Sequence, residues 1–293
     1  MKRQVIFIAT MALMFTAAAQ RLEDYCNRPF AHLGLTVGGG MGSLMYDNSR
    51  ATSSPGMSID VGFHYTHFFS GFGIGVGAHI GSVGSSALYN GDEVTSGQVH
   101  ANNPHARYEL TTHFDSWKER QKVTVVELPL EVFYRFRAGG GRHLICGLGA
   151  QVDIPMRGKY SSGGGSYTTT GVFASGGPHS VSEMPEHGFS TYEETFDAEI
   201  TDFAIGLSVV GNVGLRLPLG YSGGVYVGLW ASYGLTSILE STEAGEGPLL
   251  NINRDEPSVI DYHGTFAATG NPAVHMLRVG LKVGIDFGSP MDN

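Results

Sequence analysis

Apolar and polar residues alternate with period two over eight stretches of the chain, the mark of β-strands with two unlike faces. The stretch 126–137 shows it in full. Val126, Leu128, Leu130, Val132, Tyr134 and Phe136 fall on one side, and Glu127, Pro129, Glu131, Phe133, Arg135 and Arg137 on the other. The same alternation predicts strands over 31–46, 57–69, 72–80 (extending toward Tyr89), 143–160, 199–217, 225–239 and 273–287. The last is the cleanest, with Leu277, Val279, Leu281, Val283, Ile285 and Phe287 set against Arg278, Gly280, Lys282, Gly284 and Asp286. No stretch predicts a helix of consequence.

The connections alternate in length. Ser70-Gly71, Gly139 to Gly141 and 218–224 are short turns. The segments 47–55, 90–121, 161–198 and 240–272 are longer and polar. In an up-and-down meander, alternate connections emerge at the same end, so every long loop leaves one rim. That is the pattern of outer-membrane barrels, whose strands of about 9–11 tilted residues suffice to span a bilayer. The predicted fold is therefore all-β: an eight-stranded antiparallel up-and-down transmembrane β-barrel. The alternating piece 108–114 and the region 160–173 leave a ten-stranded wall open.

Composition decides which face looks where. Glycine numbers 43 and charged residues make up only 15% of the 293 residues. The glycines share the polar face, as in 34–42 and 73–81, where a soluble sheet would weaken itself by exposing them. The interior of a narrow barrel needs small residues beside large ones. Gly beside Glu and Arg thus reads as lumen, and the apolar face as the side that meets lipid. Phe69, Phe72, Tyr134, Phe136 and Phe287 cluster near the short turns and predict an aromatic girdle at the periplasmic boundary.

The N-terminus has the order of a secretory signal: Met1-Lys-Arg-Gln, an apolar run from Val5 to Thr16, then Ala17-Ala-Ala19. The expected organisation is a signal peptide over 1–19, a periplasmic leader over 20–30 and the barrel with long extracellular loops over 31–293. The two cysteines, Cys26 and Cys146, are expected as free thiols. A net charge of −9 argues against nucleic acid as partner. Outer-membrane lipid is the expected partner, with other envelope proteins as candidates.

The segment Val126-Glu-Leu-Pro-Leu-Glu-Val-Phe-Tyr-Arg-Phe136, with the Gly-rich 35–41 and the terminal strand ending at Phe287, resembles the outer-membrane β-barrel domain family of Bacteroidota. Its PorT-like, porin-family members are related in shape to the OmpA barrel. The resemblance implies the same barrel and is nearly silent on activity.

Charges turned into a lumen must be paired. Asp60, Glu127, Glu131, Arg135, Asp153, Arg216, Arg278 and Lys282 are the expected internal charge network, with Glu127 and Glu131 facing Arg278 and Lys282. His64, His79, Gln151, Asp202, Asn212, Trp230 and Asp286 are further lumen candidates. A filled barrel with a structural or surface-interaction role is the expected function. A narrow pore or secretion-associated barrel lined by the same residues is the alternative. An enzyme is not expected. Glu127 and Glu131 stand roughly 13 Å apart along a strand, too far for a paired-acid hydrolase. No Gly-x-Ser-x-Gly elbow sits at a strand–helix turn. The loop histidines His100, His105, His113, His179, His187 and His263 show no tight ligand spacing, so neither metal nor cofactor is expected.

Overall fold

A computed structural model describes residues 30–48, 50–69, 71–100, 103–139, 141–174, 179–219, 223–240, 247–253, 256–269 and 273–288. The signal and leader segments, with Cys26, lie outside these residues apart from Phe30.

Fourteen strands run in chain order among the described residues. The first five are β1 (Phe30–Met45), β2 (Ala51–Phe68), β3 (Phe72–His100), β4 (Asn103–Gly139) and β5 (Arg142–Ser162). Short pieces follow: β6 (Ser166–Phe173), β7 (His179–Val181), β8 (Thr191–Tyr192) and β9 (Asp197–Ile200). Then come β10 (Gly206–Leu219), β11 (Gly223–Gly234), β12 (Leu250–Ile252), β13 (Ile260–Tyr262) and β14 (His275–Phe287). Each of β1 to β4 pairs antiparallel with the next, β5 pairs with β10, β10 with β11, and β11 with β14. β14 returns to β1 in an unbroken register from Leu33↔Phe287 to Met45↔His275. The wall is thus a closed ring of eight strands with no free edge, so every wall strand finds backbone partners on both sides.

Leu35 is 64% exposed, Val37 61% and Leu281 61%, and the alternate residues of the same strands are buried. The apolar face therefore looks out around the whole ring. An apolar belt of that size has no place in water; on a closed barrel it is the lipid-facing surface. No helix among the described residues is long and apolar enough to cross a membrane.

The tall side differs from the polar loops that the alternation leaves there. β3 and β4 do not stop at the belt but continue as one hairpin, paired from Phe72↔Tyr134 up to His100↔Asn103. The sequence alternation persists through this region, and a second layer buries its apolar side. β6 adds to β4 from Tyr108↔Phe173 to Asp115↔Ser166, above the ring and outside the wall, so the wall keeps eight strands. The expected strand 199–217 begins only at Gly206: Glu199 belongs to a separate strand, β9, along the same edge of β5, and 201–205 break the pairing between β9 and β10. The expected strand 225–239 ends at Gly234, where the chain turns so that Ile238 and Leu239 are buried. The one described α-helical segment is the single turn Thr265–Ala268.

Candidate functional site, a layered lumen

The inward faces of the eight wall strands meet in a narrow lumen, and the side chains fill it in layers. Glycine makes the room. The Phe133 ring sits where a Cβ on either Gly75 or Gly147 would lie within 2.6 Å of it. A Cβ on Gly38 would strike the Asp60 carboxylate.

Nearest the short turns, Asp286 gathers two partners. Arg216 donates to it from Nε at 2.9 Å and from Nη2 at 2.6 Å. His32 Nδ1 lies 3.1 Å from the same carboxylate. The Arg135 guanidinium stands 4.8 Å over the Phe68 ring. Above them Asn212 donates to Glu131 and accepts from the Tyr226 hydroxyl. This lower half keeps a chamber of about 70 Å³, lined by His32, His64, Phe68, Glu131, Arg216 and Lys282 among others.

The next layer closes the barrel at mid-height. Arg278 is 0% exposed and donates to Glu127 and to the Ser232 hydroxyl. Asp60 faces His79 at 3.3 Å and the Lys282 ammonium at 3.6 Å. Arg278 and Lys282 both lie over the Trp230 ring, at 5.1 and 5.0 Å. Asp153 accepts from Gln151 and from the Ser208 hydroxyl. A carboxylate–guanidinium pair this deep is tolerated only with such partners, since each charge has lost its water.

Above the charges lies an apolar plug. Leu44, Val83, Val123, Val125 and Met276 point in from the wall, and Tyr160, Ile200, Ile238, Leu239 and Phe266 complete it. The turn at Thr265–Ala268 is pinned there. Glu119, fully buried, accepts from the Tyr262 hydroxyl at 2.6 Å, the Thr265 backbone N–H at 3.0 Å and Gln121 at 2.8 Å. Burial pushes the Glu119 carboxyl up, against the opposing pull of those hydrogen bonds.

All eight expected network residues point inward. The structure joins Glu127 with Arg278, but not Glu131 with Lys282: Glu131 meets Asn212, and Lys282 faces Asp60. Arg135, Arg216 and Asp153 each find a different neighbour. Asp202, expected in the lumen, is instead exposed in the loop before β10. Phe69, Phe72 and Phe287 are exposed on the outer wall at the short-turn end. Phe72 meets Tyr134 at 4.7 Å, and Tyr134 meets Phe136 at 4.4 Å. Cys146 is a free thiol, half-buried on the outward face. Sequence reasoning missed His32 and Glu119. Extending the alternation of β4 below residue 123 would have placed Glu119 and Gln121 on the inward face.

No protein-family model and no curated protein matches the chain. Solved structures with some likeness include Ail, the attachment invasion locus protein of Yersinia pestis, in complex with the heparin analogue sucrose octasulfate. It is 10% identical with a TM-score of 0.27, over 88% of this chain and 98% of that one. Neisserial surface protein A is 9% identical at 0.30, over 88% and 96%. The outer membrane protein OprG from Pseudomonas aeruginosa is 9% identical at 0.37, over 92% and 100%. At such identities and scores the barrel stands on its own strand register.

Proposed function

We propose that the protein is an outer-membrane barrel that does not conduct, and that it holds a folded β-structure at the cell surface for interaction with a partner. The observation that carries this reading is the double closure of the lumen, by the Arg278–Glu127 layer and by the plug around Phe266. A channel would need a continuous polar path, and the plug offers none. The exported location is supported by the signal-like 1–19, read with 20–30 as a periplasmic leader. It is supported too by the likeness of 126–136 to Bacteroidota barrel strands. The girdle of Phe69, Phe72, Tyr134, Phe136 and Phe287 fits the periplasmic lipid boundary.

What the barrel displays is substantial. From Leu88 to His100, β3 continues for about 40 Å of strand. The Tyr89, Tyr108, Leu110, Phe114, Trp117 and Tyr167 side chains pack with Phe189, Leu250 and Ile260 into a core of its own. Arg50 donates to the Gly247 and Ala268 carbonyls and contacts Glu93, which accepts from the Leu249 N–H. These bonds clasp the β11–β14 connection to the tall hairpin. Flexible tethering would need none of this, so the extension is a presented surface.

Labelling with a membrane-impermeant maleimide tests the orientation, in a background with Cys26→Ser and Cys146→Ser. Ser96→Cys should react on intact cells, and Arg142→Cys only after lysis. The reverse result would overturn the reading.

A further inference from the structure

Just above the apolar belt, the outer wall carries a concentration of positive charge foreign to a chain of net −9. On β4 the inward residues Glu119, Gln121 and Val123 are buried, so Lys118, Arg120 and Lys122 face outward. On β5, Gly158 and Tyr160 are buried, and Arg157 and Lys159 face the same way. Lys122 stands directly across from Lys159, with Arg120 across from Ser161 and Arg157 across from Thr124. Like charges placed opposite each other on a sheet repel. Among the described residues only Arg157 of the five forms an ion pair, with Glu199 at 2.9 Å, and both of these are well exposed; the same Glu199 stands across from Lys159. Asp197 lies farther along β9, across from Ser161.

Beside these cations the wall is grooved. The β2–β3 register slips between Pro55 and Ser58. Ser82, Gly84 and Ser86 leave a shallow channel of about 390 Å³, walled by Lys118, Arg120 and Lys122 and open below to Met57 and Ile59. Met57 is 73% exposed and belongs to the lipid belt.

We propose that this face binds a phosphorylated lipid of the leaflet on the long-loop side. Its phosphates rest on Arg120, Lys122, Arg157 and Lys159, and an acyl chain lies along the channel toward Met57 and Ile59. An anion between Lys122 and Lys159 relieves their repulsion. Guanidinium forks suit phosphate oxygens, and the cations sit at the height where headgroups meet the belt. Continuity between the charged and the apolar surface selects a lipid over a free anion. The inference rests on the membrane-spanning reading.

The test uses the full barrel, folded in detergent, against lipid A carrying its phosphates, dephosphorylated lipid A and inorganic phosphate. The wild type should prefer the phosphorylated glycolipid. Arg120→Gln, Lys122→Gln and Lys159→Gln combined should lose roughly fivefold in binding per cation removed, while binding the dephosphorylated lipid like the wild type. These positions are on the surface, and Lys122→Gln alone serves if the triple variant does not fold. Equal binding of both lipids, unchanged binding by the folded variant, or competition by inorganic phosphate at comparable concentration would overturn the lipid site. Flotation with neutral phosphatidylcholine vesicles separates the two readings. A barrel that floats but shows no phosphate preference loses only the lipid site; one that does not float loses both.

Discussion

The charged residues buried in this barrel follow two rules. Arg278 and Glu127 satisfy each other, so removing one leaves an uncompensated charge. Glu127→Gln or Arg278→Met should each destabilise the folded barrel by about 3–5 kcal/mol, measured by urea unfolding in detergent. The pair replaced together by Leu and Met should recover much of that loss. A double variant whose loss equals the sum of the two single losses would show that the pair is not coupled. Glu119 obeys the other rule, held by neutral donors above the belt. Its folded carboxyl is raised, so the folded state keeps its proton more tightly than the unfolded one. Stability therefore falls as pH rises from the ordinary glutamate range through the raised value. The urea midpoint of the wild type should decline over that window, and Glu119→Gln should flatten the decline. An unchanged slope in the variant would assign it elsewhere. The inward placement of Glu127 and Arg278 was legible from period two alone. That these two strands' charges meet across the lumen was expected too; which carboxylate takes which partner, with Glu131 turning to Asn212 in place of Lys282, depends on strand stagger, which no residue pattern states.

At the scale of elements, closure depends on how tightly β1 and β14 approach. A Cβ at Gly280 would lie 2.4 Å from the Gly39 carbonyl oxygen, and one at Gly40 2.1 Å from that of Val279. Gly280→Val should thus block seam formation, seen as loss of the compact, heat-modifiable band on electrophoresis, whereas Gly39→Ala, in open space, should not. The tall extension should fail independently. Trp117 is 1% exposed at the centre of its core, and Trp117→Ala should cost about 3–5 kcal/mol. Limited proteolysis should then cut the extension while the wall strands stay protected; a whole barrel that melts with it would show one cooperative unit. The eight wall strands and the short turns were readable because one face is apolar throughout. The extension was not, because its alternation serves a local core among polar loops. Strand β9 was mistaken for the start of β10 because 199–205 continues the alternation across a break.

On the proposed reading, the molecule as a whole is a sealed cylinder with a heavy folded head. The belt sets it in lipid, the charge layer and plug close it, and the clasp at Arg50 ties the head to the loop beside the plug. Sealing distinguishes this account from a pore lined by the same residues. Single-channel recording of the purified barrel in a planar bilayer measures it directly. The account predicts insertion without steady ion current across the voltage range. A reproducible conductance from folded wild-type protein would contradict it.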